Sequence, residues 1–220
     1  PKLFTLSPNV RIERSGRAKS GIHAYEFTQL DFEVGEATSE DIREFVEELI
    51  CRVISNLKRA MREELIYLRR YHSIEVPETP FKVYDRRELE SIYGKNWESH
   101  LISKVRNPFW VINIPREFYD FEDFETEVWD NYDLILPKYG EVLSGSRREW
   151  EYNKIVRKME RDSVRKENYE VLLKLTKERK LKPSAGAGIG IERLVSWIAR
   201  AKHIGETQPF PKVPGVVYEL

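Results

Sequence analysis

The chain has 220 residues, a length that allows one large domain or two small ones around a buried core. Hydrophobic residues make up 40% of the sequence and aromatic residues 12%, which excludes a disordered chain. Its 37 basic and 37 acidic side chains cancel, so no overall field draws the protein to nucleic acid or to an anionic membrane. The single cysteine, Cys51, excludes an intrachain disulfide and a zinc site built from several cysteines.

The ends of the chain give two further indications. The sequence shows no signal peptide and no apolar stretch long enough to cross a membrane, which favours a cytoplasmic protein without membrane partners. The first residue is Pro1 rather than methionine, which indicates a fragment or a processed product.

The N-terminal part of the sequence predicts a hairpin followed by a long helix. Two short strands, 2–6 and 9–14, are expected on either side of a turn that contains a proline. A basic loop at 15–22 then leads to a longer strand at 24–34, in which apolar and polar residues alternate. Thr38 is expected to cap a helix whose apolar residues keep three–four spacing, so one side of this helix faces a core.

The rest of the sequence mixes strands and helices. The expected elements are strands at 81–84 and 109–114 around a helix at 88–100, two strands around 137–140, a charged helical region at 149–180, and a glycine-containing strand followed by a helix from Ile191. Strand and helix do not alternate as they must in a doubly wound parallel sheet. The order therefore predicts an α+β fold.

A glycine-rich stretch, SAGAGIGIERL, spans 184–194 and carries glycines at alternate positions. A dinucleotide fingerprint needs the spacing G-x-G-x-x-G near the start of a βαβ unit, so that interpretation fails. Two interpretations remain. The glycines let a strand pack closely on a helix, or Arg193 in the first helical turn joins free backbone N–H groups in a phosphate site.

The N-terminal hairpin carries a second group of polar residues around its loop. Arg11 and Glu13 precede the loop, and His23 and Phe27 follow it. This pattern is compatible with a charged hairpin on an exposed sheet. It also fits a nucleotide clamp, in which a guanidinium pairs with phosphate, a carboxylate meets the base and an aromatic ring stacks on the purine.

A third group lies around the predicted turn at 137–140. Asp133 and Glu141 flank the turn and suit a single divalent cation, because Mg²⁺ bound with a nucleotide needs only one or two protein carboxylates. Ser144 and a guanidinium from Arg147 or Arg148 follow, and arginine binds carboxylates in bidentate fashion. An ordinary hairpin with a charged end is the alternative.

Taken in chain order, these three stretches resemble the catalytic domain of class II aminoacyl-tRNA synthetases. VRIE through EFTQLDFE is similar to the second class motif of the aspartyl subclass, and GIGIERL is similar to the third. EVLSGSRREW resembles the segment of that subclass that holds ATP with Mg²⁺ and the substrate carboxylate. PFWVINIPREFYD and AKHIGETQPFPKVPG are similar to the archaeal asparagine synthetases related to aspartyl-tRNA synthetase, which lack an anticodon-binding domain.

The resemblance implies a fold and a domain organisation. It implies an antiparallel β-sheet flanked by helices, with residues 1–220 forming a single catalytic domain. The first class motif has no counterpart in the sequence, so a homodimer is expected only if a missing N-terminal part supplies that motif.

The resemblance also implies residue roles. ATP is expected to contact the residues of the second and third motifs and the turn, with Arg11 on the α-phosphate and Arg193 on the γ-phosphate as the catalytic residues. The expected ATP-binding set is Arg11, Glu13, His23, Phe27, Glu141, Gly190, Glu192 and Arg193. Mg²⁺ is expected on Asp133 and Glu141, and the amino acid on Gln29, Asp31, Ser144 and Arg148.

The activity favoured by this resemblance is an AMP-forming asparagine synthetase. Such an enzyme activates the side-chain carboxylate of aspartate as an adenylate, which ammonia then attacks. Two alternatives stay open: the catalytic domain of an aspartyl- or asparaginyl-tRNA synthetase, for which tRNA would be a partner, and a truncated relative that binds nucleotide or a partner without chemistry.

Overall fold

The structure is a computed structural model that describes residues 1–13, 15–17 and 20–215. Its strands are β1 (Lys2–Val10), β2 (Glu26–Gly35), β3 (Lys82–Asp85), β4 (Phe109–Ile112), β5 (Glu122–Asp123), β6 (Val128–Trp129), β7 (Asn131–Leu136), β8 (Gly140–Arg147) and β9 (Ser184–Gly190). Its α-helices are α1 (Ser39–Ala60), α2 (Arg62–Tyr67), α3 (Arg86–Tyr93), α4 (Trp97–Ile102), α5 (Tyr152–Arg161), α6 (Glu170–Lys177) and α7 (Ile191–Ala199). Short 3₁₀ turns lie at Ser15–Arg17, Gly94–Asn96, Lys166–Tyr169 and Ile204–Thr207.

Within the described residues, seven strands form one sheet in the order β1-β2-β9-β8-β7-β4-β3. Neighbours in this sheet are antiparallel except β3 and β4, which are parallel. The strands β5 and β6 form a separate two-stranded pair. Strand β9, near the end of the chain, lies between β2 and β8 and joins the N-terminal hairpin to the rest of the sheet. The predicted α+β fold, a largely antiparallel sheet flanked by helices, is confirmed.

The N-terminal hairpin differs from the prediction at its proline. Strand β1 continues from Lys2 to Val10 instead of breaking into two strands. The backbone N–H of Arg11 donates to Tyr25 at 2.8 Å, and bonds to one neighbour recur at every second residue of an antiparallel pair. The nitrogen of Pro8 therefore faces the free edge of the sheet, where its missing hydrogen removes no ladder bond. Of the predicted basic loop, Ala18 and Lys19 lie outside the described residues, as does Arg14 in the predicted second strand.

Helix α1 begins as predicted, at a capping box. The Thr38 hydroxyl accepts a hydrogen bond from the Asp41 N–H at 3.1 Å, and the Thr38 N–H donates to the Asp41 carboxylate at 2.8 Å. The helix then buries one stripe against the sheet: Ile42, Val46, Ile50 and Ile54. These side chains form the main core with residues of the covered sheet face, including Phe32, Leu134, Leu143, Ala185, Ala187 and Ile189.

The other face of the sheet is only partly covered. Helices α3 and α4 pack Leu89 and Leu101 onto Phe109, Val111 and Ile135, at the β4 and β7 side. The same face of β2, β8 and β9 stays open and forms the floor of a cavity. None of the helices in the described ranges is both long enough and apolar enough to cross a membrane.

Candidate active site

A cavity of about 490 Å³ opens on the sheet face that α1 does not cover. Strands β2, β8 and β9 supply its floor. The start of α7, the residues after β1 and the segment after β4 supply its walls. Twelve of the thirteen predicted site residues line it: Arg11, Glu13, His23, Phe27, Gln29, Asp31, Glu141, Ser144, Arg148, Gly190, Glu192 and Arg193. The thirteenth, Asp133, is buried beside it and bonded to a residue of its wall.

The alternate glycines of β9 make the floor of this cavity possible. Directly opposite positions run across the sheet from Asp31 through Gly188 and Ser144 to Asp133, so these residues share one face. A Cβ atom on Gly188 would lie 2.5 Å from the Asp31 carboxylate and 2.8 Å from the Gln29 amide nitrogen. Glycine at this position therefore leaves the space that the two polar side chains fill.

The neighbouring glycine serves the same purpose for another carboxylate. A Cβ atom on Gly186 would collide with the Glu33 side chain and with the backbone of Phe32. On the core side of the same strand, Ala185 and Ala187 provide the close approach to the helices. The glycine pattern thus clears the cavity floor, while small alanine side chains face the core.

One end of the cavity combines an aromatic ring with several cations. The Arg11 guanidinium lies over the Phe27 ring, 5.3 Å from its centroid. Glu13 is buried and accepts a hydrogen bond from Arg17 at 2.9 Å. Burial lowers the pKa of His23, an effect that Glu13 opposes and that Arg17, Arg193 and Arg11 reinforce. His23 is therefore mostly neutral near pH 7 and contacts the Ser20 hydroxyl at 2.6 Å.

The start of α7 forms one wall through two charged residues with different tasks. The Glu192 carboxylate is buried and accepts from the Thr28 N–H at 2.9 and 3.0 Å and from Gln208 at 3.0 Å. It therefore ties α7 to β2. Arg193 donates to the backbone oxygen of Glu141 at 2.7 Å, and its guanidinium lies 3.7 Å from the Glu141 carboxylate. This places a positive charge near the first N–H groups of α7.

The opposite end of the cavity is organised around Arg148. This guanidinium donates to both carboxylate oxygens of Glu33 at 3.3 Å, to Asp120 at 3.3 Å and to the Ser146 hydroxyl at 2.7 Å. Burial raises the pKa of Asp120, while its hydrogen bond from Ser146 and the charge of Arg148 oppose that rise. The sequence prediction did not include Glu33 and Asp120, because neither is close in sequence to the arginine that they contact.

The structure decides between the two adjacent arginines. Arg147 points away from Arg148 and lies over the rings of Phe121 and Trp150, at 4.7 and 4.8 Å from their centroids. Arg147 ends β8 and Arg148 continues it in an isolated bridge with Asp120, so consecutive side chains still face opposite sides and only one of the pair faces the cavity. That residue is Arg148.

A further arginine, Arg116, was missed by the sequence prediction. It follows β4 and forms a salt bridge with Asp133 and a hydrogen bond with the Ser144 hydroxyl. Burial raises the pKa of Asp133 against the opposing charge of Arg116. The segment PREFYD offered one signal, a basic residue directly after the predicted strand at 109–114. Its partner Asp133 lies 17 residues further along the chain, on the strand that pairs with β4.

The predicted metal ligands can be tested against their surroundings. Asp133 is 7% exposed, and its Oδ1 atom has no hydrogen-bond partner among the described residues. A buried carboxylate oxygen without a partner suits a hard cation such as Mg²⁺. In the described ranges no three His, Cys, Asp or Glu residues are grouped as a metal site. Asp133 and Glu141 therefore fit a cation whose remaining ligands come from a nucleotide, rather than a cation enclosed by protein ligands alone.

Residues 1–214 match the family described as tRNA synthetases class II (D, K and N). The chain is 30% identical over 244 residues to an asparagine–tRNA ligase of Mycoplasma mobile, across 97% of this chain and 53% of that protein. It is also 30% identical over 238 residues to an asparagine–tRNA ligase of Thermococcus kodakarensis, across 99% of this chain and 54% of that protein.

The fold is also similar to that of a solved structure from this family. The asparaginyl-tRNA synthetase from Pyrococcus horikoshii, complexed with asparaginyl-adenylate, superimposes with a TM-score of 0.85 at 26% sequence identity. That similarity covers 99% of this chain and 54% of the other. The chain thus spans about half the length of the relatives that it matches.

Proposed function

We propose an adenylate-forming activity for this chain, which belongs to the class II tRNA synthetases (D, K and N). The reaction transfers the AMP part of ATP to the α-carboxylate of an amino acid, with pyrophosphate as the leaving group. The observation that carries the proposal is the arrangement of one cavity. It holds Phe27 and Arg11 at one end and Arg148 at the other, with Arg193 beside the N-terminus of α7.

The cation-rich end suits the nucleotide. Phe27 offers a ring for stacking against a purine, and Arg11 lies over the same ring, within reach of the phosphate next to the ribose. Arg193 combines its charge with the first N–H groups of α7, an arrangement that binds phosphate. His23 stands nearby in the neutral form, where it donates a hydrogen bond without adding to the positive charge.

The protein's contribution to the reaction is positioning and charge. An amino-acid carboxylate held near Ser144 attacks the α-phosphorus in line, and pyrophosphate departs on the opposite side. The guanidinium groups of Arg11 and Arg193 stabilise the negative charge that develops on the phosphate oxygens. A divalent cation held by Asp133 and Glu141 would supply additional charge neutralisation there. Because the attacking group belongs to the substrate, this chemistry requires no protein nucleophile.

The Arg148 end favours asparagine over aspartate as the substrate. Its guanidinium is already bonded to the carboxylates of Glu33 and Asp120. A second carboxylate on the substrate would meet those two charges, whereas the neutral amide of asparagine would not. The relatives are named asparagine–tRNA ligases, which supports the same choice.

The acceptor of the activated amino acid is proposed to be the tRNA. Transfer to tRNA is supported by the names of the relatives, and that support does not extend to synthesis of free asparagine from aspartate and ammonia. The ammonia-dependent reaction, which the sequence favoured, therefore stays a prediction. So does a single domain that covers the whole chain.

The test is exchange of labelled pyrophosphate into ATP with purified protein and Mg²⁺. Exchange that depends on asparagine supports the proposal. Exchange that depends only on aspartate, with free asparagine formed on addition of ammonia, identifies the aspartate–ammonia ligase instead. No exchange with either amino acid, from folded protein that binds ATP, would leave the non-catalytic alternative. Formation of aminoacyl-tRNA on addition of tRNA then tests the acceptor.

A further inference from the structure

The predicted cation ligand Asp133 already has a cationic partner from the protein itself. Its Oδ2 atom accepts a hydrogen bond from one terminal nitrogen of Arg116, whose other terminal nitrogen donates to the Ser144 hydroxyl. Both charged side chains are largely buried: counted for the side-chain atoms alone, 18% of the arginine and 10% of the aspartate is exposed. Arg116 is thus held across the β7–β8 pair, over the same sheet row that forms the cavity floor.

The surroundings of this ion pair are rich in carboxylates. Glu141 stands opposite Ile135 on the same face of the β7–β8 pair as Asp133, and the carboxylate of Glu98 from α4 lies beside Gly140, the residue before Glu141. Arg193 is the second guanidinium in this region, 3.7 Å from Glu141. Three carboxylates therefore face two guanidinium groups, and the Oδ1 atom of Asp133 remains without a hydrogen-bond partner among the described residues.

We propose that Arg116 is a tethered counter-ion that competes with the divalent cation for the carboxylate of Asp133. The competition follows from geometry, because one carboxylate cannot hold a guanidinium on Oδ2 and admit a dication beside it without strong repulsion between the two. The inference rests on the proposed function, which is the reason to expect a divalent cation at this pair. Beyond that function, it assigns a task to Arg116, which is not among the site residues predicted from the sequence.

The consequence is that a divalent cation and ATP enter together. Without nucleotide, Arg116 neutralises Asp133 and the cation alone binds weakly. The phosphates of ATP bring additional oxygen ligands for the cation and a new anionic partner for the displaced guanidinium. Cation binding in the absence of nucleotide is therefore limited by Arg116, and removal of its charge should strengthen it.

The experiment measures binding of Mn²⁺ alone to the purified protein, from the loss of the electron paramagnetic resonance signal of free Mn²⁺. We expect Arg116→Gln to bind Mn²⁺ at least about tenfold more tightly than the unsubstituted protein, equivalent to about 1.4 kcal/mol. Arg116→Lys keeps a positive charge at this place and should stay within about threefold of the unsubstituted protein. The double variant Arg116→Gln/Asp133→Asn should lose the gain.

Arg11→Gln is the matched control, because it removes one positive charge from the same cavity without touching Asp133. Equal tightening in Arg11→Gln and Arg116→Gln would overturn the proposal in favour of a general effect of net charge. Unchanged Mn²⁺ affinity in a folded Arg116→Gln protein would also overturn it. Circular dichroism establishes that each variant is folded, and Arg116→Met provides a second uncharged side chain, with the same expected tightening, if the glutamine variant is not.

Failure of this inference is distinguishable from failure of the proposed function. Binding of Mn²⁺ with ATP to the unsubstituted protein, measured by calorimetry, tests the nucleotide site separately. If that complex forms while Arg116→Gln leaves the affinity for Mn²⁺ alone unchanged, only the role of Arg116 is wrong. If the complex does not form, the proposed function is wrong, whatever the Mn²⁺ series shows.

Discussion

Substitution of the three alternate glycines of β9 by alanine should give three different results. At Gly188 a Cβ atom would lie 2.5 and 2.8 Å from the ends of two flexible side chains, Asp31 and Gln29. Both ends must move by roughly 1 Å to restore normal contact, and a displacement of this size in a site costs about 100-fold in rate. The free energy of unfolding should change by less than about 1.5 kcal/mol, because side-chain ends rather than backbone give way.

The neighbouring glycines provide matched controls within the same strand. At Gly190 the nearest protein atom to an added Cβ lies 3.7 Å away, an ordinary contact, so Gly190→Ala should change the free energy of unfolding by no more than about 0.5 kcal/mol. At Gly186 the Cβ would meet the backbone oxygen of Phe32, so Gly186→Ala should lower the free energy of unfolding by about 1–3 kcal/mol or more.

The assay pairs urea unfolding with amino-acid-dependent pyrophosphate exchange. We expect Gly188→Ala to unfold near the denaturant concentration of the unsubstituted protein but to exchange pyrophosphate about 100-fold more slowly, with a raised KM for the amino acid. An unchanged KM in this variant would refute the view that Asp31 and Gln29 occupy the space above Gly188 in the working site.

Five further substitutions test the remaining contacts. Arg148→Gln should raise the KM for the amino acid roughly 10- to 100-fold, because it removes charged hydrogen bonds, whereas Arg147→Gln should leave it unchanged. Arg193→Ala should abolish pyrophosphate exchange while circular dichroism reports an intact fold. Glu192→Ala leaves the Thr28 and Gln208 donors without their acceptor and should lower the free energy of unfolding, measured in urea, by about 2–5 kcal/mol. The pKa of His23 is lowered in the folded protein, so this residue binds protons more readily in the unfolded chain. Its contribution to the free energy of unfolding is therefore complete above pH about 6.5 and declines as the pH falls. Urea titrations from pH 8 to 5 should show a smaller decline of the free energy of unfolding in His23→Gln than in the unsubstituted protein.

Local signals in the sequence were sufficient for the elements and for most of the cavity lining. Thr38 as the expected cap and the spacing of the apolar residues after it predicted the start and the buried side of α1. The order of polar residues along β2 and β8 predicted side chains that share a face, because alternation along a strand is a local property. The resemblance then placed those strands next to each other.

Features that depend on long-range register were not predictable. Whether Gly188 clears space for Asp31 or for a helix depends on the pairing of β2 with β9, which are separated by about 150 residues. Arg116 acquires its importance only where the segment after β4 returns over β7 to reach Asp133. The break expected at Pro8 failed for a related reason, since a proline is tolerated in a strand only when that strand proves to be an edge.

The central position of β9 also has a consequence for how the protein is made. Strand β9 follows both the N-terminal hairpin and the β7–β8 pair in the chain, so during synthesis these two parts of the sheet are made before the strand that joins them. Pairings between segments so far apart in sequence form slowly, since the intervening chain must first be brought together. The strand that joins the two parts also carries the cavity floor, and the cavity therefore forms in the same step as the seven-stranded sheet. A nascent chain released before this strand would have neither.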